Sequence, residues 1–208
     1  GLIGCGKWST VITKEIENSQ YFNLKAIVCR NKNKEFNKSI KVFSNTEDMI
    51  DKSKIKCAYI AATPEANLNI IKLITKRNLP VIIEKPITNN FRSSLEVKKI
   101  AQRDKKIIMP NLSNIFSDCF QEIENFIKDN KFNISKIIVN EGNLGPFRKD
   151  IHPIWDWGFH SISLLFLIFW GRDFSIVEKK EIISNNKYGK GVVTKFLFKI
   201  NKNINVKI

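Results

Sequence analysis

Short apolar segments alternate with helical segments through the first half of the chain. Between the apolar segments, hydrophobic residues recur at intervals of three and four, which is typical of amphipathic helices. Segments that are apolar throughout, rather than at every second residue, are typical of strands buried on both faces. The pattern therefore predicts an α/β domain over residues 1–112, with a doubly wound parallel sheet of Rossmann type covered by helices on both sides. The predicted strands are Gly1–Ile3, Leu24–Cys29, Cys57–Ala61, Val81–Ile83 and Ile107–Met109.

The pattern changes after residue 112. A helix predicted over Asp118–Ile127 leads to an irregular region, an apolar helix near Ile162–Trp170 and three strand-like stretches in succession. Successive strands favour an antiparallel or mixed sheet. We therefore predict a second, α+β domain with an open sheet over residues 113–208. Because both ends of the chain fall in strand-like segments, we expect a fragment in which this domain is truncated at its C-terminus.

A glycine loop joins the first predicted strand to the first helix. Gly4, Gly6 and Ser9 occupy the three positions of a G-x-G-x-x-G-like motif. The first glycine permits a tight turn, and the second lets main-chain amides approach a diphosphate at the helix N-terminus. The order strand, loop and helix predicts a dinucleotide site that includes Gly4, Gly6, Lys7 and Trp8. An ordinary glycine turn is the alternative.

The end of the second predicted strand bears on the choice of cofactor. A site that grips the ribose 2′-hydroxyl usually has an acid about 20 residues after the glycine loop. This chain has Cys29, Arg30, Asn31 and Lys32 at that point. Because Arg30 and Lys32 are able to pair with a 2′-phosphate, the sequence favours NADP over NAD. The alternative is that both are solvated charges in a lysine-rich loop.

The net charge of +15 raises the possibility of a nucleic-acid partner. Only 6 of the 35 basic residues are Arg, the better reader of phosphate and bases. The 29 Lys are dispersed, without interleaved aromatic residues. We therefore expect no nucleic-acid partner. We also expect no membrane association, because the most apolar stretch is shorter than the roughly 20 residues that span a bilayer.

The four cysteines, Cys5, Cys29, Cys57 and Cys119, have no CxxC spacing. Three of them lie in or beside apolar strand-like stretches. We therefore expect small, buried, unpaired hydrophobic side chains in a reducing compartment, and a cytoplasmic protein.

One predicted strand ends abruptly in Glu84, Lys85 and Pro86. Proline cannot donate to the hydrogen-bond ladder, so it ends the strand. Another strand ends in Thr63-Pro64, and ligands of open α/β sheets bind beyond the carboxyl ends of the strands. We therefore predict that Thr63, Pro64, Glu84 and Lys85 line the cofactor cleft, with the Lys85 amine holding a substrate oxygen. A surface ion pair followed by a proline turn is the alternative.

The stretch WDWGFH places Asp156 four residues before His160, on one helix face if the apolar helix begins there. Histidine titrates near neutral pH and suits removal of a hydroxyl proton. A nearby carboxylate would orient the ring, and Lys85 would stabilise developing alkoxide charge. Upstream, Arg148 offers a planar fork for an anionic group on a substrate. The alternative is a helix-capping aspartate and a core histidine.

A metal site is a further alternative, because His152, Asp156 and His160 form a two-histidine, one-carboxylate set. Pro153 counts against it, since it makes His152 extended rather than helical.

The glycine loop, the strand ending in Thr63-Pro64, the Glu84-Lys85-Pro86 motif and the Asp156-x-x-x-His160 segment together resemble the glucose–fructose oxidoreductase/inositol dehydrogenase (Gfo/Idh/MocA) family. The similarity runs from Gly1 to about Gly171. It implies a Rossmann domain followed by an open-sheet domain, a cis peptide bond before Pro86 and a sugar-like or cyclitol-like substrate. It also implies catalytic roles for Lys85, Asp156 and His160. The chain departs from the family pattern at two points: Ser163 replaces a frequent acid, and Asn67-Leu68 replaces a usual histidine.

We therefore expect an NAD(P)-dependent oxidoreductase that interconverts a hydroxyl and a carbonyl on a sugar-like or sugar-nucleotide substrate. The expected substrate contacts are Lys85, Arg148, Trp157 and His160. The full-length protein is expected to form a homo-oligomer through its C-terminal sheet. A catalytically inactive, dinucleotide-binding sensor or scaffold is the alternative, and the presence of Lys85, Asp156 and His160 counts against it.

Overall fold

A computed structural model describes residues 1–31, 33–129, 134–142, 151–187 and 189–208. These residues form two compact units, Gly1–Asn111 and Leu112–Ile208.

The first unit is built on a parallel sheet of six strands. The strand order is β3-β2-β1-β4-β5-β6, and every neighbouring pair runs parallel. The predicted doubly wound sheet is therefore confirmed. Its strands are β1 (Leu2–Ile3), β2 (Ala26–Val28), β3 (Lys41–Phe43), β4 (Ala58–Ile60), β5 (Val81–Ile83) and β6 (Ile108–Pro110).

Four helices accompany this sheet: α1 (Lys7–Glu17), α2 (Thr46–Ser53), α3 (Pro64–Lys76) and α4 (Phe91–Arg103). The start of α2 is stabilised by Asn45, whose Oδ1 accepts a 2.8 Å hydrogen bond from the amide of Asp48. Asn90 caps α4 in the same way, accepting from the amide of Ser93 at 2.9 Å. Helix α3 begins at a proline, which suits the first position of a helix.

The sheet is buried on both faces. On one face, Ile71 and Ile74 of α3 and Val97 of α4 pack with Ile60 and Ile83 of the sheet. A second cluster, on the other face, joins Ile12 of α1 to Leu2, Leu24, Ile27 and Ile40. Each fully buried isoleucine contributes about 1.5 to 3 kcal/mol. The sequence pattern missed β3 and α2, because β3 lies at the sheet edge and its first two side chains are exposed.

The second unit contains a mixed sheet of four strands in the order β7-β10-β9-β8. Strand β7 pairs parallel with β10, whereas β10 with β9 and β9 with β8 are antiparallel. Leu165 and Phe169 pack on Ile200 and Val206 to form its core. The elements are η1 (a 3₁₀ turn, Ser113–Phe116), α5 (Asp118–Asp129), β7 (Lys136–Ile138), α6 (Pro153–Asp156), α7 (Gly158–Ile168), β8 (Phe174–Asn186), β9 (Gly189–Ile200) and β10 (Ile204–Lys207).

Within the described ranges, no helix is both long enough and apolar enough to cross a membrane.

The cysteine prediction is wrong for a pair that is distant in sequence. Cys5 and Cys29 form a disulfide with their Cα atoms 5.2 Å apart. The reason is topological: β1 and β2 are parallel neighbours, so the residues that follow them are adjacent in space. The thiols of Cys57 and Cys119 are free, with Cys57 half-buried and Cys119 exposed rather than buried.

Candidate cofactor and active site

Two glycines of the glycine loop have different structural roles. Gly4 has φ +113°, and an added Cβ would lie 2.8 Å from the carbonyl carbon of Ala61. Any side chain at this position would therefore be strained and would collide with main chain. Gly6 is the N-cap of α1, and an added Cβ would meet no atom within 4 Å. The space beside Gly6 is open to a ligand.

The N-terminus of α1 fits the diphosphate of a dinucleotide. No side chain caps it, and its first turn contains no acid. Helix α2 contrasts with it, because Asn45 caps that helix and Glu47 and Asp48 lie in its first turn. The first amides of a helix need acceptors, and the helix dipole favours an anion there. The predicted residues Lys7 and Trp8 belong to this first turn and are exposed.

A lysine that the sequence analysis did not single out lies over the glycine loop. The Lys34 ammonium donates to the carbonyl oxygen of Cys5 at 2.7 Å and to Oγ1 of Thr10 at 2.9 Å. No sequence signal distinguishes Lys34 from the other lysines of this loop. Arg30, predicted to face a 2′-phosphate, is exposed just beyond β2. Lys32, its predicted companion, lies outside the described residues.

The turn after β5 is anchored by a buried amide. The Lys85–Pro86 peptide bond is cis, as the family resemblance implies. The side-chain amide of Asn67 donates to the carbonyl oxygen of Ile87 at 3.0 Å, and Asn67 is only 1% exposed. Asn67 lies near the position where the family usually has histidine. In this chain its side chain therefore supports the turn that carries Lys85.

Glu84 belongs to a hydrogen-bonded cluster that spans three neighbouring strands. Tyr59 in β4 donates its hydroxyl proton to Oε1 of Glu84. The side-chain amide of Asn111, which follows β6, lies 2.8 Å from that oxygen and 2.8 Å from the Tyr59 hydroxyl. Burial, followed by the hydrogen bond to Glu84, raises the pKa of Tyr59. The phenol is therefore neutral and acts as a donor to a carboxylate.

The predicted cofactor residues at the glycine loop, Thr63-Pro64 and Glu84-Lys85 all lie beyond the carboxyl ends of strands in the first sheet. Gly4 follows β1, Thr63 and Pro64 follow β4, and Glu84 and Lys85 follow β5. Strands β1, β4 and β5 are adjacent and parallel, so these three chain segments leave the sheet side by side. Ligands of open α/β sheets bind in the crevice beyond the carboxyl ends of the strands.

Asp156 and His160 lie in consecutive helices of the second unit. The apolar helix α7 begins at Gly158, so Asp156 is not part of it but ends the preceding helix α6. Helix α6 has its own start, because Pro153 is its first residue and Nδ1 of His152 accepts from the amide of Ile154 at 3.3 Å. His160 lies in the first turn of α7 and is half-buried.

A cavity of about 250 Å³ lies beside α6 in the second unit. Asp156 and Trp157 line one side of it, and Thr194 and Phe196 of β9 line another. Trp157, a predicted substrate contact, is therefore placed against open space. Arg148, the other predicted contact in this part of the chain, lies outside the described residues.

The hydroxyl of Ser163 stands where the family often has an acid. It donates to the carbonyl oxygen of Phe159 at 2.5 Å, within its own helix.

The structure does not support the metal alternative. Nε2 of His152 lies 3.1 Å from Oε1 of Glu181, and that same oxygen accepts from Lys179 at 2.8 Å. The hydrogen bond from Lys179 keeps the pKa of Glu181 below its usual value. Over the part of the chain that the structure describes, no three His, Cys, Asp or Glu side chains are grouped to hold a metal ion.

Residues 1–112 match the family model GFO_IDH_MocA, described as an oxidoreductase family with an NAD-binding Rossmann fold. No curated protein sequence matches the chain significantly.

Solved structures share the fold over nearly the whole chain. The scyllo-inositol dehydrogenase of Lactobacillus casei, solved with NAD(H) and scyllo-inositol, is 17% identical, with a TM-score of 0.80 over 100% of this chain and 67% of that one. The myo-inositol 2-dehydrogenase of Lactobacillus plantarum is 16% identical, with a TM-score of 0.83 over 99% and 67%. GenD2 from gentamicin A biosynthesis, in complex with NAD, is 11% identical, with a TM-score of 0.82 over 99% and 63%. The chain thus spans about two thirds of the length of these proteins, and at such identities the likeness establishes the fold.

Proposed function

Because this chain belongs to the Gfo/Idh/MocA oxidoreductase family, with its NAD-binding Rossmann fold, we propose that it is an NAD(P)-dependent dehydrogenase or reductase. Its reaction interconverts a CH–OH group and a carbonyl group on a sugar-like, cyclitol-like or sugar-nucleotide substrate.

One observation carries the proposal. Three chain segments follow the carboxyl ends of adjacent parallel strands. They are the glycine loop, Thr63-Pro64 and Glu84-Lys85-Pro86. The start of α1 has no side-chain cap and no acid in its first turn, so it suits a diphosphate bound beyond these strand ends. Lys85 follows β5, two strands away from the glycine loop in the sheet. Its ammonium group suits a substrate oxygen on the reacting carbon.

Three side chains would carry the chemistry in this proposal. When bound, the nicotinamide ring supplies the hydride acceptor or donor. In the oxidation direction, the His160 imidazole takes the hydroxyl proton, because histidine as a residue type suits proton transfer near neutral pH. Asp156 orients the imidazole and favours its protonated form. The Lys85 ammonium hydrogen-bonds the substrate oxygen and stabilises the negative charge that develops there.

The cofactor would be NADP in preference to NAD. The chain has no acid directly after β2 to repel a 2′-phosphate, and Arg30 is exposed there. The Lys34 ammonium beside the glycine loop adds a second positive charge.

A polyhydroxylated ring is the substrate class that we propose, with Trp157 and Arg148 as further contacts. Two of the similar structures are dehydrogenases of inositols, which are rings of this class. The proposal also includes a cytoplasmic homo-oligomer formed through the second sheet, whose strand β8 exposes Ile176, Val177 and Ile183.

The test has two stages. The full chain is first titrated with NADPH and with NADH, with binding followed by cofactor fluorescence. Oxidised cofactor is then added with inositols, sugars and sugar nucleotides, and absorbance at 340 nm is followed. The expected result is turnover with at least one substrate. Lys85→Ala and His160→Gln should each abolish turnover while cofactor binding persists.

The matched control is Lys76→Ala, an exposed lysine of α3, which should retain turnover. Cofactor binding without turnover on any substrate would favour an inactive sensor or scaffold instead. Full turnover in Lys85→Ala would contradict its assigned role.

A further inference from the structure

We propose that Cys5 and Cys29 form a reversible redox modification site that controls how tightly the glycine loop binds the nicotinamide dinucleotide. The proposal rests on the proposed function to the extent that the cofactor binds at this loop. It assigns a role to two residues that the proposed chemistry does not use.

The disulfide joins two parts of the predicted cofactor site that are 24 residues apart in sequence. Cys5 lies between Gly4 and Gly6, in the loop that would contact the diphosphate. Cys29 directly follows β2, where the adenosine ribose of a dinucleotide is ordinarily held. The pairing of Ile3 with Val28 brings the two chain segments together.

The two cysteines differ in how firmly they are held. Cys29 is 7% exposed, and its amide donates to the carbonyl oxygen of Phe43 at 2.8 Å, which extends the sheet by one residue. Cys5 is half-buried in a loop, and its carbonyl oxygen accepts from Lys34. The sulfur–sulfur bond therefore ties a loop residue to a residue that the sheet already holds in place.

The disulfide lowers the conformational entropy that the glycine loop loses when the dinucleotide binds. In the disulfide form the glycine loop already has its turn at Gly4 and an uncapped helix start. A loop that is ordered before binding loses less conformational entropy when the ligand arrives. Reduction returns freedom to Cys5, so the dithiol form should bind dinucleotide more weakly than the disulfide form.

Thiol–disulfide exchange accounts for the interconversion. A thiolate of a dithiol reductant attacks Sγ of Cys5, the more exposed of the two cysteines, and Cys29 leaves as a thiolate that takes up a proton. The second thiol of the reductant then attacks the mixed disulfide, and Cys5 is released as a thiol. The reductant becomes a cyclic disulfide, so two electrons and two protons pass to the protein. In the reverse direction a small-molecule disulfide is the oxidant: its two sulfurs are released as thiols, and the Cys5–Cys29 bond forms again. In reducing compartments disulfides are ordinarily transient and regulatory, which fits a switch.

The experiment compares NADH and NADPH binding by the full chain in two redox states. One sample is kept oxidised, and the other is reduced with dithiothreitol and desalted without oxygen. Alkylation and mass spectrometry count the free thiols in each sample. We expect two free thiols in the first and four in the second, and binding weaker by roughly fivefold or more after reduction, as expected for the release of one ordered loop.

Variants identify the cysteines responsible. Cys29→Ser should bind weakly in both states and lose its response to dithiothreitol. Cys5→Ser, at a half-buried position, should give the same result and serves if Cys29→Ser does not fold. Cys57→Ser is the matched control, since its thiol is free, and it should keep the response.

Equal affinity in the two redox states, tighter binding after reduction, or four free thiols in the oxidised sample would overturn the switch and leave the proposed function intact. A redox response that persists in Cys29→Ser would overturn it as well. No binding of either dinucleotide in either state would remove both proposals together.

Discussion

The ammonium group of Lys34 lies 2.7 Å from the carbonyl oxygen of Cys5 in the glycine loop and 2.9 Å from Oγ1 of Thr10 in α1. A cation is thereby held beside the positive end of a helix dipole. Charges of like sign repel, so the arrangement becomes more favourable when an anion binds between or beside them. Lys34 also lies in the chain segment that follows β2, where the adenosine ribose of a dinucleotide is ordinarily held. We therefore propose that its charge adds to that of Arg30 in favouring a phosphorylated ribose.

Lys34→Ala should therefore weaken NADPH binding more than NADH binding. Loss of one charge-assisted contact corresponds to roughly a tenfold increase in Kd for NADPH, with a smaller change for NADH. Fluorescence titrations at low ionic strength measure both constants. Lys38→Ala, an exposed lysine in the same loop, is the control and should change neither. Equal losses for the two cofactors would show that Lys34 does not read the 2′-phosphate.

The two glycines of the loop should separate folding from binding. Gly4→Ala forces a side chain into a positive-φ position against the carbonyl of Ala61. It should therefore lower the free energy of unfolding by about 1 to 3 kcal/mol. Gly6→Ala meets no atom of the described protein within 4 Å, so stability should change little. Its methyl group would instead occupy the space that we assign to the diphosphate, and NADH binding should fall at least tenfold. Denaturant unfolding and NADH titration distinguish the two variants. Unchanged NADH affinity in Gly6→Ala would argue against the site.

Asn67 should matter for the stability of the turn that carries Lys85. Asn67→Ala removes a buried hydrogen bond to the carbonyl oxygen of Ile87, which should cost about 1 to 2 kcal/mol in the free energy of unfolding. Asn69→Ala, an exposed position in the same helix, is the matched control and should cost less than about 0.5 kcal/mol. Urea denaturation of the three proteins measures the difference. If both variants unfold at the same urea concentration, the hydrogen bond contributes nothing.

Tyr59 should make stability depend on pH above its ordinary pKa of about 10. Its pKa is raised in the folded protein, chiefly by burial and then by the hydrogen bond to Glu84. The folded state therefore keeps a proton that the unfolded state loses. This contribution is fully present below pH 10 and is lost progressively as the pH rises beyond that point.

Tyr59→Phe should show a smaller decline in unfolding free energy between pH 9 and pH 11 than the wild type. Its unfolding free energy at pH 7 should be about 1 kcal/mol lower, because the hydrogen bond to Glu84 is lost. Tyr21→Phe, at an exposed position, is the control and should follow the wild-type curve. Identical pH profiles for Tyr59→Phe and the wild type would contradict the raised pKa.

Local patterns in the sequence predicted the parts of this protein that are decided within a few residues. Three features can be recognised from consecutive residues: a glycine with positive φ, a strand that ends at Pro86, and apolar strands separated by amphipathic helices. Together with the family resemblance, these patterns were enough to predict the parallel sheet, the mixed second sheet and the cis Lys85–Pro86 bond. The assignment of catalytic roles to Lys85, Asp156 and His160 remains a prediction.

Contacts between distant residues were decided only by the tertiary structure. The disulfide of Cys5 with Cys29 depends on which strands are neighbours, and so does the convergence of Tyr59 and Asn111 on Glu84. Lys34 resembles every other lysine of its loop until the fold brings it to the Cys5 carbonyl. The separation of Asp156 from the apolar helix depends on a second helix start at Pro153. A single sequence records the preference of each residue for its local conformation, but these pairings arise from strand order and chain reversal, which no short stretch of residues encodes.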